Sequence, residues 1–156
     1  MTALQTSTVI AAAGQSIWDE LSAVDRWPLW LPSFASAEPL DGPALRLGAR
    51  YRVVQPGLRP AIWSVTVVEP PRRFAWQISS PGLRVLADHL IDEISPGQAT
   101  VTLRVSFSGW LGAIMGRLSR STTERYLAQE ASALKHRVEA LPAREARDDC
   151  SGAPIS

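Results

Sequence analysis

Between Ser36 and Ser108 the chain alternates hydrophobic and polar residues with a period of two. Trp63, Val65 and Val67 fall on one parity, and Phe74, Trp76 and Ile78 fall on one parity of the next run, so each set is expected to share a strand face. Two later runs are more regular still. Val85, Ala87, His89 and Ile91 alternate with Asp88 and Asp92, and Val101, Leu103, Val105 and Phe107 alternate with Thr100, Thr102 and Arg104. This pattern predicts a sheet with one wet face and one covered face. After a short first strand at Ser7–Ala11, strands are expected at Ser36–Leu40, Ala49–Gln55, Ile62–Val68, Arg73–Ser79, Leu83–Ile94 and Ala99–Ser108. Turn signals at Asp41–Pro43, Pro56–Gly57, Glu69–Pro71, Pro81–Gly82 and Pro96–Gly97 separate them. Connections this short predict an antiparallel meander rather than parallel strands joined by helices.

Two other segments carry a helical period. Ala12–Leu21 places Ile17 and Leu21, with Val24 beyond them, on one side. Asp25–Pro32 is short, aromatic and cut by Pro28 and Pro32, which predicts a turn or a single helical turn. Gly109–Leu141 contains no proline, and Leu127, Ala131, Leu134, Val138 and Leu141 recur at steps of four and three, predicting one long amphipathic helix. Its first half, with Gly112, Gly116, Ser119, Thr122 and Thr123, is weak in helix propensity. The expected organisation is one domain over residues 1–141, followed by a polar tail, residues 142–156, without apolar periodicity and expected to be disordered.

Composition narrows the function classes. With 16 basic and 15 acidic residues there is no electrostatic footprint for nucleic acid. The arginines are scattered, with no run longer than Arg72–Arg73, and Lys135 is the only lysine. Cys150 is alone, which leaves no disulfide framework and no metal quartet. The N-terminal residues lack the basic and apolar regions of a signal peptide, and no segment approaches the ~18 apolar residues of a membrane span. A cytoplasmic protein without integral membrane association is expected. No phosphate-binding glycine loop, nucleophile elbow or zinc signature is present, so neither cofactor nor metal is called for.

Ile17–Trp18 with Asp25–Trp30, Gly48 opening a strand, the run Trp63–Trp76, His89 and the closing Ala131–Lys135 carry a resemblance. On these residues the chain resembles the START-related helix-grip superfamily, and within it the polyketide cyclase/dehydrase and lipid-transport group, over about residues 5–141. The resemblance implies an α+β fold: a curved antiparallel sheet wrapped around a long C-terminal helix, with two short N-terminal helices and a cavity between sheet and helix.

Would such an interior be filled or hollow? Packed aromatics alone can make a core, at roughly 2–3 kcal/mol for each large ring buried. Gly112, Gly116 and Ser119 do not fill space, and small residues opposite bulky aromatics favour a hollow interior. The expected ligand wall comprises Trp27, Trp30, Trp63, Val65, Trp76, Ala87, His89, Leu103, Phe107, Met115, Leu118, Ser119 and Thr122. Asp25–Trp30 is read either as a lid or as an aromatic plug, and Gln55–Pro60 as an entrance loop. His89 is the one titratable group placed inside, either as a hydrogen-bonded core residue or as a polar handle or acid/base, with Tyr126 the candidate partner among Tyr51, Ser119 and Thr122. His136, on the far helix among charges, is expected in solvent. The two functions in view are binding of a small hydrophobic molecule (lipid, polyketide or isoprenoid-like) for sequestration, transport or sensing, and a polyketide aromatase/cyclase-dehydratase-like reaction using His89. A homodimer is compatible with either.

Overall fold

A computed structural model describes residues 2–142 of the chain; the expected tail from residue 143 onward lies outside the described residues. Seven strands form one antiparallel sheet: β1 (Thr2–Ile10), β2 (Ser36–Pro39), β3 (Arg50–Val54), β4 (Ala61–Glu69), β5 (Arg73–Ser80), β6 (Leu83–Ser95) and β7 (Gln98–Ser108), in the order β1-β7-β6-β5-β4-β3-β2. Helix α1 (Gly14–Ser22) and a 3₁₀ turn (Val24–Leu29) sit between β1 and β2, and α2 (Gly112–Leu118) and α3 (Arg120–Ala140) follow β7. This is the helix-grip architecture, with the curved sheet closing on α3.

The strands follow from the alternation, but four features depart from it. The first strand begins at Thr2 rather than Ser7, pairing with β7 from Thr2 opposite Phe107 to Ile10 opposite Ala99. Its inward positions include Thr6 and Thr8, so it lacks the apolar stripe that would mark it in the sequence. A bulge between Val65 and Val67 shifts the register of β4 on β5, so that Val68, opposite Phe74, joins the core side in place of Val67.

Asp88, expected in water, is buried on the outer face of the sheet. The Arg73 guanidinium lies over it and donates two hydrogen bonds of 3.0 and 2.8 Å, which hold Arg73 still more firmly in its charged form. Finally, the expected single helix is two. It breaks at Ser119, whose hydroxyl donates back to the Met115 carbonyl at 2.6 Å. Leu127, Ala131, Leu134 and Val138 bury the apolar stripe of α3 against β1 and β7, whereas α2 has no such stripe facing inward.

Candidate functional site

The inner face of the sheet divides into two halves. Under the 3₁₀ turn it is filled. Trp27 is fully buried and donates its indole N–H to the Leu21 carbonyl at 3.1 Å. Its ring meets Phe34 at 5.1 Å, Trp76 at 5.3 Å, His89 at 5.7 Å and Phe74 at 6.0 Å. Trp30 packs on Trp27 at 6.3 Å, and Tyr51 closes on Trp76 at 6.0 Å. This segment is therefore an aromatic plug, not a lid.

Beneath α2 and the first turns of α3 the same face is hollow. A cavity of about 300 Å³ is walled by Trp63, Trp76 and Ile78 from β4 and β5 and by Val85, Ala87 and His89 from β6. Phe107 of β7, Met115 of α2, Ser119 and Thr122 complete it, with Tyr126 and Glu130 of α3. Among the residues expected in the wall, Trp63, Trp76, Ala87, His89, Phe107, Met115, Ser119 and Thr122 line this space. The others do not. Trp27 and Trp30 belong to the plug, Val65 and Leu103 are packed into the core behind the wall, and Leu118 points outward with 74% of its surface exposed. Leu118 was expected inward because its helix was read as continuous with α3; the break at Ser119 turns it away.

His89 is held from two sides. Its Nδ1 lies 3.3 Å from the Phe74 carbonyl oxygen and its Nε2 lies 3.1 Å from Oε1 of Glu130. A carbonyl only accepts, so Nδ1 carries a proton and Nε2 faces the carboxyl group. The Phe74 ring stacks flat on the imidazole at 4.1 Å, fixing its plane. Both side chains are nearly sealed from solvent, and the low local dielectric strengthens the pairing while making either partner costly alone.

Tyr126, the expected partner, is engaged elsewhere: its hydroxyl donates to the Pro56 carbonyl at 2.7 Å and ties α3 to the 55–60 loop. That loop contributes Leu58 and Arg59 to the cavity rim. His136 is exposed. Glu130 was not anticipated from the sequence. Its signal is helical phase: it stands three residues after Leu127 and four before Leu134, at the edge of the buried stripe. Phe34, which follows Pro32 in a segment without periodicity, also lines the cavity and left no such signal. No group of three or more metal-ligating side chains occurs among the described residues, and no described helix is long and apolar enough to cross a membrane.

The sequence profile of the family described as polyketide cyclase/dehydrase and lipid transport matches residues 1–139. No curated protein matches the chain. Among solved structures, norcoclaurine synthase from Thalictrum flavum, in complex with dopamine and hydroxybenzaldehyde, is 14% identical. It superposes with a TM-score of 0.74 over 92% of this chain and 89% of that one. The Zhui aromatase/cyclase from Streptomyces sp. R1128 is 15% identical, with a TM-score of 0.69 over 88% of this chain and 93% of its own. A START superfamily protein from Mycobacterium smegmatis is 19% identical, with a TM-score of 0.65 over 90% and 99%. At these identities the likeness is one of fold.

Proposed function

Because the chain belongs to the polyketide cyclase/dehydrase and lipid-transport family, we propose that it binds a small hydrophobic molecule between the sheet and the C-terminal helices, for sequestration, transport or sensing. The observation that carries this reading is an apolar cavity of about 300 Å³ holding one buried polar pair, His89 and Glu130. That size sits at the low end of small-molecule sites, roughly 300–1,000 Å³, and favours a compact ligand over a long acyl chain. Trp63, Val85, Phe107 and Met115 supply apolar area, and the His89–Glu130 pair gives a ligand carbonyl or hydroxyl a polar partner. The protein is expected to act in the cytoplasm and without a cofactor or metal. Native mass spectrometry of the purified protein, with identification of whatever denaturation releases, tests the reading. Release of a compact apolar molecule supports it. Failure to bind a series of apolar probes at micromolar concentration sinks it.

A second reading is favoured by one specific observation. His89 is not an isolated core histidine: it is oriented by a backbone carbonyl and coupled to a carboxyl group, the arrangement that an acid/base needs. On this reading the protein closes and dehydrates a poly-β-keto chain folded in the cavity, with His89 moving the proton and Glu130 setting its charge. His89→Ala then abolishes turnover while leaving apolar binding within about threefold, since the apolar part of the wall, Trp63, Val85, Phe107 and Met115, is untouched. Turnover surviving in that variant removes His89 as the acid/base.

A further inference from the structure

Helix α2 is built inside out. Its glycines face the protein: a Cβ on Gly112 would come within 3.0–3.1 Å of the Phe107 backbone, and one on Gly116 within 2.9 Å of Thr2. Its large apolar side chains face away, Ile114 at 55% exposure and Leu118 at 74%, continuing a line begun by Trp110 at 77% in the preceding turn. Ile114 and Leu118 stand four residues apart on α2 and share a face, and Trp110 is exposed in the turn just before it. An ordinary surface helix buries such a stripe and exposes the small residues.

The stripe is also held in place. The Trp110 indole lies directly over Gly82, so close that a Cβ there would meet the ring at 2.5 Å. Met115 and Leu58, both part-exposed, continue the apolar surface onto the cavity rim. Arg117 lines the same surface hollow as Ile114 and Leu118, and from Trp110 to Thr123 the chain carries no carboxylate; Arg120, next along, is paired with Glu124. Arg59 stands on the opposite rim.

We propose that α2 and the 55–60 loop dock on the headgroup region of an anionic lipid bilayer. Trp110, Ile114 and Leu118 enter the interface, the flanking arginines meet lipid phosphates, and the cavity mouth opens against the acyl boundary. An exposed tryptophan beside a short apolar face that carries Arg117 and no carboxylate suits that boundary, where apolar burial and electrostatic attraction add. A second copy of the chain is the poorer occupant. A two-fold contact on this face would bring two copies of Arg117 into one apolar patch with no carboxylate between Trp110 and Leu118 to pair them. The surface stands on its own residues and does not depend on what the cavity holds.

Flotation of the full chain with vesicles of phosphatidylcholine plus phosphatidylglycerol, beside vesicles of phosphatidylcholine alone, tests the proposal. Binding is expected to the anionic vesicles, and to weaken as salt is raised. Trp110→Ser with Leu118→Ser lowers it by about tenfold or more, and Arg117→Gln with Arg120→Gln by several-fold. Because Trp110 rests on Gly82, each variant's melting temperature is read alongside, and the Leu118→Ser single variant, at a 74% exposed position, is expected to keep the parent value. Quenching of the native protein's tryptophan emission by doxyl-labelled lipid needs no variant, because Trp110 is by far the most exposed tryptophan. No flotation and no quenching at low salt overturns the proposal. So does binding that the Trp110/Leu118 double variant leaves unchanged, or a homodimer that this variant splits while vesicles are ignored.

Discussion

The two halves of the sheet's inner face start from the same kind of strand and end as opposite environments. On one side Trp27, Phe34, Phe74 and Tyr51 crowd around Trp76, and the covering segment, a 3₁₀ turn interrupted by Pro28, drives its own large ring into the sheet. On the other side the strands offer Val85, Ala87 and Phe107, but the covering helices answer with Met115, Ser119 and Thr122. The strands do not decide between core and cavity; the cover does. Where it supplies aromatics the space is filled, and where it supplies serine and threonine a void remains. His89 stands at the boundary, stacked on the filled side by Phe74 and reaching Glu130 across the hollow side.

The largest expected effect breaks the filled half. Trp27→Ala removes the plug and costs about 3–5 kcal/mol by denaturant unfolding, whereas Trp63→Ala, on the cavity wall, costs about 1–3 kcal/mol because one side of that ring already lacks packing partners. Equal losses would mean that the hollow half is as tightly packed as the other. Next comes the boundary. Glu130→Ala leaves Nε2 of His89 without its partner and is expected to cost about 1–3 kcal/mol of thermal stability, with Glu130→Gln recovering part of it. A neutral Glu130→Ala would show that the pair is not closed in solution.

Enlarging small residues sharpens the contrast further. Ala87→Leu extends into the cavity and should shift stability by less than about 1 kcal/mol while weakening apolar-probe binding by tenfold or more, whereas Ala37→Leu in the filled half overpacks it at about 1–3 kcal/mol. Calorimetry on both variants, with probe titration on the first, reads the difference. The smallest effect is Tyr51→Phe. The Tyr51 hydroxyl is buried with no hydrogen-bond partner among the described residues, so its loss changes stability by no more than about 1 kcal/mol at neutral pH. Burial, aided by the Asp25 charge, pushes the Tyr51 phenol above its ordinary value of 10.0. Its contribution is therefore intact below pH 10.0 and lost as pH rises above that toward the folded value. Melts above that pH should separate parent and variant, and parallel curves would place the phenol in solvent.

How much of this was legible beforehand depends on what each feature requires. The strands from β2 to β7 were legible because a period of two survives any amount of sheet curvature. The split between α2 and α3 was hidden because the stripe from Leu127 to Val138 describes only the second helix, and the apolar residues before it do not reveal that they face outward. Glu130 was readable only by helical phase, at the edge of the buried stripe. Its reach to His89 depends on how the sheet bends toward α3, which no local pattern encodes. Trp27 and Trp30 were expected against a ligand because aromatic content does not reveal which rings meet each other first. Asp88 was assigned to water by parity, and only the neighbouring strand's Arg73 buries it.

The place of β1 in the sheet has a consequence for how the chain is made. Every other strand pair joins neighbours in sequence, so hairpins from β2 onward can close as they leave the ribosome, but Thr2 to Ile10 must wait for Ala99 to Phe107. At ordinary elongation rates of about 5–20 residues per second, that is a delay of roughly 5–20 seconds. During it the leading segment is an unpaired ribbon and the inner face of the growing meander lies open. The sequence suits a long wait: six of the nine residues of β1 are threonine, serine, glutamine or alanine, so the strand that waits longest for its partner is also among the least adhesive.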